Sequence, residues 1–217
     1  MKTILTTKKL TEKVKIELEN AEFLIVEKNF IKTKKLKFEL NLVHENLIFS
    51  SKNAVKSILS FQKELVNKPV FCVGEKTKKL LIKNGFKVEF SAQNATELAE
   101  KIVSKFASRS FTFFCGNLRK DALPNILKTN NVELNEIVVY KTVLSPKLIN
   151  NKIDAILFFS PSAVESYLLK NKIENQVCFC IGNTTASALK NSTNPIEIAK
   201  KPTIEAVIKK CIKYYKN

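Results

Sequence analysis

Three segments in the second half of the chain repeat segments of the first half at a nearly constant distance. The offsets are 109, 108 and 107 residues. Self-similarity at a fixed period is the signature of a repeated structural unit, so the sequence predicts two halves with the same fold. The matched pairs are LIFSSKNAV (47–55) with ILFFSPSAV (156–164), CVGEKTKKLL (72–81) with CIGNTTASAL (180–189), and ATELAEKIVSKF (95–106) with PTIEAVIKKCI (202–212).

Short apolar runs alternate with amphipathic stretches of helical length along the chain. This alternation is typical of α/β folds, in which helices cover a parallel sheet. The predicted strands are 3–7, 22–26, 47–50, 70–73, 87–90, 111–115, 134–140, 154–159, 177–181 and 196–198. The predicted helices are 8–18, 52–65, 75–84, 95–106, 118–129, 161–170, 183–190 and 203–215.

The strand count indicates how the chain divides into domains. Residues 34–142 contain five predicted strands, the residues after 143 contain three, and two strands at the amino terminus complete a second set of five. We therefore expect an inserted, continuous domain at 34–142 and a discontinuous domain built from 1–33 and 143–217. Five strands with covering helices fit the flavodoxin-like, doubly wound class. The two crossings, near 33 and 143, would form a paired hinge.

The charge balance limits the class of partner. A net charge of +17 points to an anion: nucleic acid, a membrane surface or a polycarboxylate. Arg109 and Arg119 are the only arginines, whereas nucleic-acid readers favour arginine; scattered lysines also fit a solvated surface. No apolar stretch has signal-peptide length or approaches the ~20 residues that cross a bilayer. We expect a cytoplasmic protein without membrane attachment.

Several chemistries lack support in the sequence. The five cysteines have no metal-ligand spacing and are predicted to be small buried hydrophobes in a reducing compartment, with Cys115, at a strand end, considered as a reactive thiol. A single histidine, His44, excludes a histidine metal cluster. The phosphate-binding motifs GxGxxG and GxxxxGK[ST] are absent. Only two aspartates occur, Asp121 and Asp154, which weighs against hydrolytic and metal-assisted mechanisms.

Polar residues gather where predicted strands end and helices begin, the edge at which doubly wound sheets bind ligands. Helix starts expose N–H groups that favour carboxylates or phosphates, and hydroxyls add donors without charge. The same residue types are preferred N-caps of any helix, but their occurrence in both halves favours a ligand with many carboxylates. The candidate binding residues are Ser50, Ser51, Thr77, Gly116, Asn117, Ser160, Ser162, Thr184 and Thr185.

Two further features complete the candidate site. The stretch CGNLRKDALP (115–124) is interpreted as another such turn, with Gly116 and Asn117 at a helix start. Tyr140 ends the apolar strand EIVVY beside the predicted hinge. Its hydroxyl can donate a proton to a leaving group, and its ring can alternatively pack as an amphipathic side chain at a domain edge. Tyr140 is the candidate catalytic residue.

These motifs together resemble the uroporphyrinogen-III synthases, from about residue 45 to the carboxyl terminus. Where that family often has a Thr-Arg pair after the first strand, this chain has Thr7 and Lys8. Tyr140 matches the family tyrosine proposed to help a hydroxyl leave, and Thr77 and Thr185 match threonines placed in the family's cleft. The motifs that carry the resemblance are LIFSSKNAV, CVGEKTKKLL, FFCGNLRKDALPNIL, EIVVYKTV, ILFFSPSAVESY and CIGNTTASAL.

The resemblance implies two flavodoxin-like domains joined by a two-stranded linker, with the active site in the interdomain cleft. It implies a lyase of the tetrapyrrole (heme) pathway that uses no metal or organic cofactor. The substrate would be linear hydroxymethylbilane, a tetrapyrrole with eight carboxylates. Its closure to uroporphyrinogen III would proceed through a spiro-pyrrolenine, with loss of water and inversion of ring D. No hydrophobic stripe demands a partner subunit, so we expect a monomer.

Two other classes stay open at this stage. A non-enzymatic two-domain protein that closes on a small anion would have a similar hinge and cleft, and it predicts tight binding without turnover of the bilane. A nucleic-acid-binding module driven by the net charge predicts a steeply salt-dependent affinity. The synthase predicts only weak, non-specific retention of nucleic acid.

Overall fold

The computed structural model describes residues 1–189 and 194–216 of the chain. Short 3-10 turns at Leu59–Phe61 and Ser187–Leu189 follow the second and eighth helices. The strands are β1 (Lys2–Thr6), β2 (Phe23–Glu27), β3 (Ile31–Lys35), β4 (Asn46–Phe49), β5 (Val70–Val73), β6 (Val88–Ala92), β7 (Phe111–Gly116), β8 (Leu134–Leu144), β9 (Ala155–Phe158), β10 (Val177–Cys180) and β11 (Ile196–Ile198). The helices are α1 (Glu12–Glu19), α2 (Lys52–Ile58), α3 (Gln62–Leu65), α4 (Glu75–Lys83), α5 (Ala95–Phe106), α6 (Ala122–Thr129), α7 (Pro161–Leu168), α8 (Asn183–Ala186) and α9 (Ile204–Lys216).

The chain separates into two compact units. Unit 1 comprises Met1–Lys32 and Val143–Asn217, and unit 2 comprises Thr33–Thr142. The sheet of unit 1 has the strand order β11-β10-β9-β1-β2, with every neighbouring pair parallel. The sheet of unit 2 has the order β3-β8-β7-β4-β5-β6, and its pairs from β8 to β6 are parallel. The predicted α/β class with parallel sheets is confirmed.

The two sheets arrange equivalent strands in the same spatial order, although the chain visits them in different orders. The sequence repeat aligns β4 with β9 and β5 with β10. Read from one edge, β11-β10-β9-β1-β2 then corresponds to β6-β5-β4-β7-β8. Numbered along the chain within each unit, with the edge strand β3 left out, unit 1 has the flavodoxin order 2-1-3-4-5 and unit 2 has the order 3-2-1-4-5. Unit 1 is therefore a circular permutation of unit 2.

Unit 2 has an apolar layer on each face of its sheet, as a doubly wound fold requires. On one face α2 and α4 pack on the sheet through Val55, Ile58 and Leu81. On the other face α5 and α6 pack through residues that include Ile102 and Leu127. These helix residues are fully buried, so both faces of the parallel sheet are covered.

Unit 1 has the same two layers. α7 and the turn after α8 cover one face, where Val164 and Leu189 are buried. α1 and α9 cover the other face through Val14, Val207 and Cys211. The helices pair as the permutation requires: α7 and α8 correspond to α2 and α4, and α9 and α1 correspond to α5 and α6.

The sheet of unit 2 contains one strand more than the sequence predicts. β3, with the sequence IKTKK, lies at the edge beside β8, and four of its five residues are exposed. Lysines protect an exposed sheet edge from pairing with other chains, and they also remove the apolar run by which a strand is recognised. The boundaries between the units fall within β3 and β8, which are hydrogen-bonded neighbours. Both crossings of the chain therefore run through one two-stranded connection.

Within the described residues, four predicted helices differ clearly from the structure in their start or continuity. The helix predicted at 183–190 is divided into α8 and a 3-10 turn at Ser187–Leu189. The helices predicted at 8–18 and 118–129 begin later, at Glu12 and Ala122. The single helix predicted at 52–65 is divided into α2, a 3-10 turn and α3. The last residue of the helix predicted at 183–190 lies outside the described residues. Over the described part of the chain, no helix combines the length and the apolar character that crossing a bilayer requires.

Candidate functional site

In each sheet the covering helices change face between two neighbouring strands. In unit 2 this happens between β4 and β7, because α2 follows β4 on one face and α6 follows β7 on the other. In unit 1 it happens between β9 and β1, which are followed by α7 and α1. Open α/β sheets bind ligands at such switch points, beyond the carboxyl ends of the strands. Ser50 and Ser51 follow β4 directly, Ser160 follows β9 after one residue, and Ser162 lies in the first turn of α7.

Ser51 and Ser160, which align in the repeat, are the N-caps of α2 and α7. The Oγ of Ser51 accepts a hydrogen bond from the backbone N–H of Asn53 at 3.1 Å. The Oγ of Ser160 accepts one from the backbone N–H of Ala163 at 3.2 Å. Both serines therefore stabilise a helix end, and each hydroxyl retains its own hydrogen for donation to a ligand.

The other serine and threonine candidates differ in exposure. Ser50 and Ser162 are half-buried, and Thr184, in the single turn of α8, is exposed. Within residues 1–189 and 194–216, none of these three side chains forms a hydrogen bond. The structure thus places them at the carboxyl edge of their own sheets as groups that solvent or a ligand can reach.

Thr77 and Thr185 occupy equivalent positions in the two units. Each donates its backbone N–H at 3.0 Å to the carbonyl of a glycine that precedes its helix, Gly74 or Gly182. Gly74 has a φ of +82°, a conformation that favours glycine. Thr77 is 5% exposed and Thr185 is 1% exposed.

The hydroxyls of these two threonines have no hydrogen-bond partner in the described part of the chain. There, no buried side-chain oxygen or nitrogen lacks a partner. The small exposed area of each threonine must therefore include its hydroxyl oxygen. A buried threonine that turns an unpaired hydroxyl to solvent at a sheet edge is ready to bind a polar ligand.

Gly116 and Asn117 do not begin a helix, so that interpretation of the sequence is wrong. Gly116 is the last residue of β7, and its carbonyl accepts a hydrogen bond from the N–H of Arg119 at 3.1 Å, which closes a turn. The Arg119 guanidinium is ion-paired with Glu136 on β8 and with Asp121. These contacts hold the segment before α6 as a turn.

Tyr140 on β8 lies directly against Gly116. A Cβ at position 116 would lie 2.4 Å from Cζ and 2.7 Å from the hydroxyl oxygen of Tyr140. The ring is half-buried and packs on the same apolar layer as Val139. Its hydroxyl has no hydrogen-bond partner among the residues described and is open to solvent. A free phenol beside a switch point can donate a proton or a hydrogen bond to a ligand.

The pairing of β7 with β8 is irregular at this point. Cys115 pairs with Val138, but Gly116 pairs with Tyr140, so Val139 is an extra residue that forms a β-bulge. Asn117 follows directly: its N–H donates to the carbonyl of Tyr140 at 3.2 Å, and its Oδ1 accepts from the N–H of Thr142 at 2.8 Å. The structure thus brings Gly116, Asn117 and Tyr140 together.

The cysteines carry no reactive thiolate. All five are free and buried, which confirms the prediction of small buried hydrophobes. Burial, and next the charge of Glu136, raise the pKa of Cys115 to about 11. Burial also raises the pKa of Cys178, Cys180 and Cys211 to about 12 each. In the ranges 1–189 and 194–216, no three His, Cys, Asp or Glu side chains lie close enough together to hold a metal ion.

Two further residues lie at these edges and were not among the candidate site residues. Thr7, which follows β1 at the switch point of unit 1, is buried and donates its hydroxyl to the carbonyl of Leu157 at 2.7 Å, so it ties the end of β1 to β9. Thr142 carries the N–H that Asn117 binds. The Thr-Lys pair after the first strand indicated Thr7. The contact of Thr142 is made by its backbone N–H, which almost every residue has, so the sequence could not indicate it.

The fold and these sheet edges define a doubly wound α/β protein of two units with polar carboxyl edges. The family model for "Uroporphyrinogen-III synthase HemD" matches residues 12–209 of the chain. The chain therefore belongs to the uroporphyrinogen-III synthase family.

Individual relatives agree with this assignment. A curated relative, the porphyrin biosynthesis protein HemD of Ruminiclostridium josui, is 25% identical over 187 residues, which cover 76% of this chain. The chain spans only 37% of the length of that relative.

Two solved structures extend the comparison. The crystal structure of uroporphyrinogen-III synthetase from Helicobacter pylori is similar with a TM-score of 0.78 and 25% identity, and the match covers 99% of this chain and 100% of that one. A mutant uroporphyrinogen III synthase from the extremely thermophilic bacterium Thermus thermophilus has a TM-score of 0.61 at 14% identity over 100% of this chain and 98% of that one. The second likeness shows the fold.

Proposed function

We propose that the protein is a uroporphyrinogen-III synthase, a lyase that closes hydroxymethylbilane to uroporphyrinogen III with inversion of ring D. The match to the family model over residues 12–209 carries the proposal, because that range includes every candidate site residue. The free hydroxyl of Tyr140, packed against Gly116 at the switch point of unit 2, supports it.

The polar sheet edges suit a substrate with eight carboxylates. Thr77 and Thr185 offer unpaired hydroxyls, and the N-cap serines Ser51 and Ser160 retain a hydrogen to donate. Neutral donors of this kind bind carboxylates without fixing a charge in the site. The net charge of +17 attracts a polyanion from solution.

We assign to Tyr140 the departure of the substrate hydroxyl. The phenol donates its proton as the carbon–oxygen bond breaks, so that water leaves and the terminal pyrrole becomes an azafulvenium cation, the protonated azafulvene. The electrophilic carbon then bonds to the substituted carbon of ring D, which gives the spiro-pyrrolenine. Breaking the former bond of that carbon and closing the ring through the unsubstituted α-carbon of ring D gives the inverted product, and the proton that this carbon loses returns to the phenolate.

The remaining contribution is positioning. The azafulvene closes directly to the symmetric isomer unless its shape is constrained, so the protein must hold ring D for attack at the substituted carbon. We propose that the two domains predicted from the sequence, 1–33 with 143–217 and 34–142, act as the domains of the enzyme. In this proposal both bind carboxylates of the same substrate molecule. Thr185 and Thr77, with unpaired hydroxyls at equivalent positions, are the strongest candidates for these contacts.

The isomer composition of the product tests the proposal. The protein is incubated with hydroxymethylbilane, the product is oxidised, and the isomers are separated; a reaction without protein gives the isomer I background. We expect isomer III. Isomer I alone, at any protein concentration, would refute the synthase, and saturable binding of the bilane in that case would favour the non-enzymatic anion-binding protein.

Substituting Tyr140→Phe tests the role of the phenol. We expect kcat to fall about 100-fold, the lower range for loss of a general acid, with KM changed little because the ring still fills its place. Tyr214→Phe is the matched control, since Tyr214 is partly exposed on α9 and its ring contacts survive the change. Full activity of Tyr140→Phe would remove the acid role while leaving the synthase assignment intact.

Three properties of the protein belong to the same proposal. We propose a monomer, which light scattering tests. The five free, buried cysteines support a location in the reducing cytoplasm, which fractionation of the source cells tests. We expect no specific nucleic-acid ligand: retention on DNA should be weak and should show no sequence preference.

A further inference from the structure

We infer that Asn117 is a positioning residue: it sets the direction of the Tyr140 side chain and does not bind the substrate directly. This inference rests on the proposed function of Tyr140. It follows from the β-bulge at Val139, from the hydrogen bonds of Asn117 and from the missing side chain at Gly116.

The bulge decides where Tyr140 points. Side chains alternate between the faces of a regular strand, so Val139 and Tyr140 would lie on opposite faces of the sheet. Instead, both pack on the same apolar layer of unit 2. The extra residue shifts the pairing from Cys115 with Val138 to Gly116 with Tyr140, which turns the tyrosine ring onto Gly116.

Asn117 closes the ladder on the far side of the bulge. Its backbone N–H binds the carbonyl of Tyr140, and its side-chain oxygen binds the N–H of Thr142. Both bonds act on β8 at or just after the tyrosine, so one residue fixes the backbone that carries the ring. The side-chain oxygen thus accepts the bond of Thr142 just beyond the end of β7 at Gly116, where the backbone ladder stops.

Gly116 supplies the space for the ring in this direction. A Cβ there would lie 2.4 to 2.7 Å from three atoms of the ring and hydroxyl. Contacts this short do not occur, so any side chain at position 116 would displace the phenol. Gly116 and Asn117 together define one orientation of Tyr140.

A direct contact between Asn117 and a substrate carboxylate makes the opposite prediction for two variants. Asn117→Asp keeps an oxygen that accepts from the N–H of Thr142, but it loses the amide donor and adds a negative charge. Asn117→Ala loses the acceptor and adds no charge. If Asn117 positions Tyr140, Asn117→Ala is the more damaging change and acts on kcat. If Asn117 binds carboxylates, Asn117→Asp is the more damaging change and acts on KM.

We expect Asn117→Ala to lower kcat about tenfold, less than the loss of the phenol itself, and Asn117→Asp to lower it no more than about threefold. Asn130→Ala is the matched control, because it removes a side-chain to backbone hydrogen bond of 2.8 Å from an exposed asparagine at the end of α6. In a Tyr140→Phe background, Asn117→Ala should lower kcat little further, since it acts through the phenol.

The outcomes separate this inference from the proposed function. Absence of isomer III with the unaltered protein refutes the synthase itself. With an active protein, a larger loss in Asn117→Asp than in Asn117→Ala, or losses that multiply with Tyr140→Phe, overturns the positioning role. If Asn117→Ala does not fold, Gly116→Ala is the second variant, because it displaces the Tyr140 ring and leaves the Asn117 side chain in place. We expect the fold decrease in its kcat to exceed the fold change in its KM. Any other result overturns the inference.

Discussion

The hydroxyls at the sheet edges fall into two groups that mutation can separate. Ser160 accepts a hydrogen bond within its own helix start, whereas Thr185 forms no side-chain hydrogen bond among the described residues. We compare Ser160→Ala with Thr185→Val. The first change removes a cap. The second keeps the shape of the side chain and removes only a hydroxyl that binds nothing in the free protein.

The two changes have different expected costs for folding. Losing a serine cap costs about 1 kcal/mol, which corresponds to a decrease in Tm of roughly 2–4 °C for a chain of this size. Thr185→Val breaks no internal hydrogen bond, so its effect on the free energy of unfolding should stay within about 0.5 kcal/mol. Thr185 is 1% exposed, so almost no apolar surface is gained or lost.

Thr185→Val is expected to affect catalysis, although it hardly affects folding. A hydrogen bond from a neutral donor to a charged carboxylate contributes about 1.5–3 kcal/mol, which corresponds to a loss in kcat/KM of roughly 10- to 150-fold for Thr185→Val at 1.4 kcal/mol per decade. Thr77→Val is the matched change in unit 2 and should behave alike, because the two threonines have equivalent backbone bonds and burial.

Urea unfolding and steady-state kinetics of the same preparations provide the test. A destabilisation above about 1 kcal/mol in Thr185→Val would show that its hydroxyl has a structural role, which contradicts the bonding described above. Unchanged kcat/KM in both threonine variants would show that neither hydroxyl contacts the substrate. An unchanged Tm in Ser160→Ala would refute the capping argument.

Three further predictions concern stability and the thiols. Burial raises the pKa of Cys115 to about 11, so the five buried thiols should resist a thiol reagent at pH 8 in the native protein and react in denaturant; rapid native reaction contradicts their burial. The N–H of Thr3, and next Lys2, lower the pKa of Asp154. Its ionised form therefore stabilises the fold above its unfolded pKa of about 3.9, and this contribution is lost as the pH falls through the lower folded value. Asp154→Asn should make the free energy of unfolding less dependent on pH in this acidic range. Phe114 is fully buried and stacks on Phe49 at 5.4 Å, so Phe114→Ala should cost about 3–5 kcal/mol in urea unfolding, and a cost below about 1 kcal/mol would show that the layer refills the cavity.

The apolar runs predicted most of the fold because parallel strands buried on both faces read as continuous hydrophobic segments. All ten predicted strands occur, and β4, β9 and β10 are buried at every residue. β3 escaped prediction because IKTKK lies at an exposed edge, where lysines replace the apolar run. The edge strands β2, β6 and β11 were found because they keep apolar residues, so the local pattern misses an edge strand only where polar residues replace the apolar run.

The sequence predicted a candidate site as a set of positions, but it did not predict the geometry of these positions. Serine and threonine after a strand mark the carboxyl edge, which predicted the places of Ser51, Thr77, Ser160 and Thr185. The late start of α6 depends on ion pairs of Arg119 with Glu136, 17 residues away along the chain. The bulge at Val139 depends on the register between two strands. The run VVY predicts a strand whether or not a bulge is present, so it does not indicate the bulge. Long-range pairing therefore decided what the sequence left open.

The permuted strand order has a consequence for how the chain folds as it leaves the ribosome. β1 and β2 are synthesised first, but β1 pairs with β9. Ile4 therefore cannot pair with Ala155 until the 150 residues between them have been synthesised. Unit 2 is complete within that interval and contains all neighbours of its own parallel strands. Once it has folded, β3 and β8 lie side by side and bring the two pieces of the chain that flank it close together. The finished insert thereby shortens the loop that unit 1 must close, which lowers the entropic cost of joining its first strand to its last three.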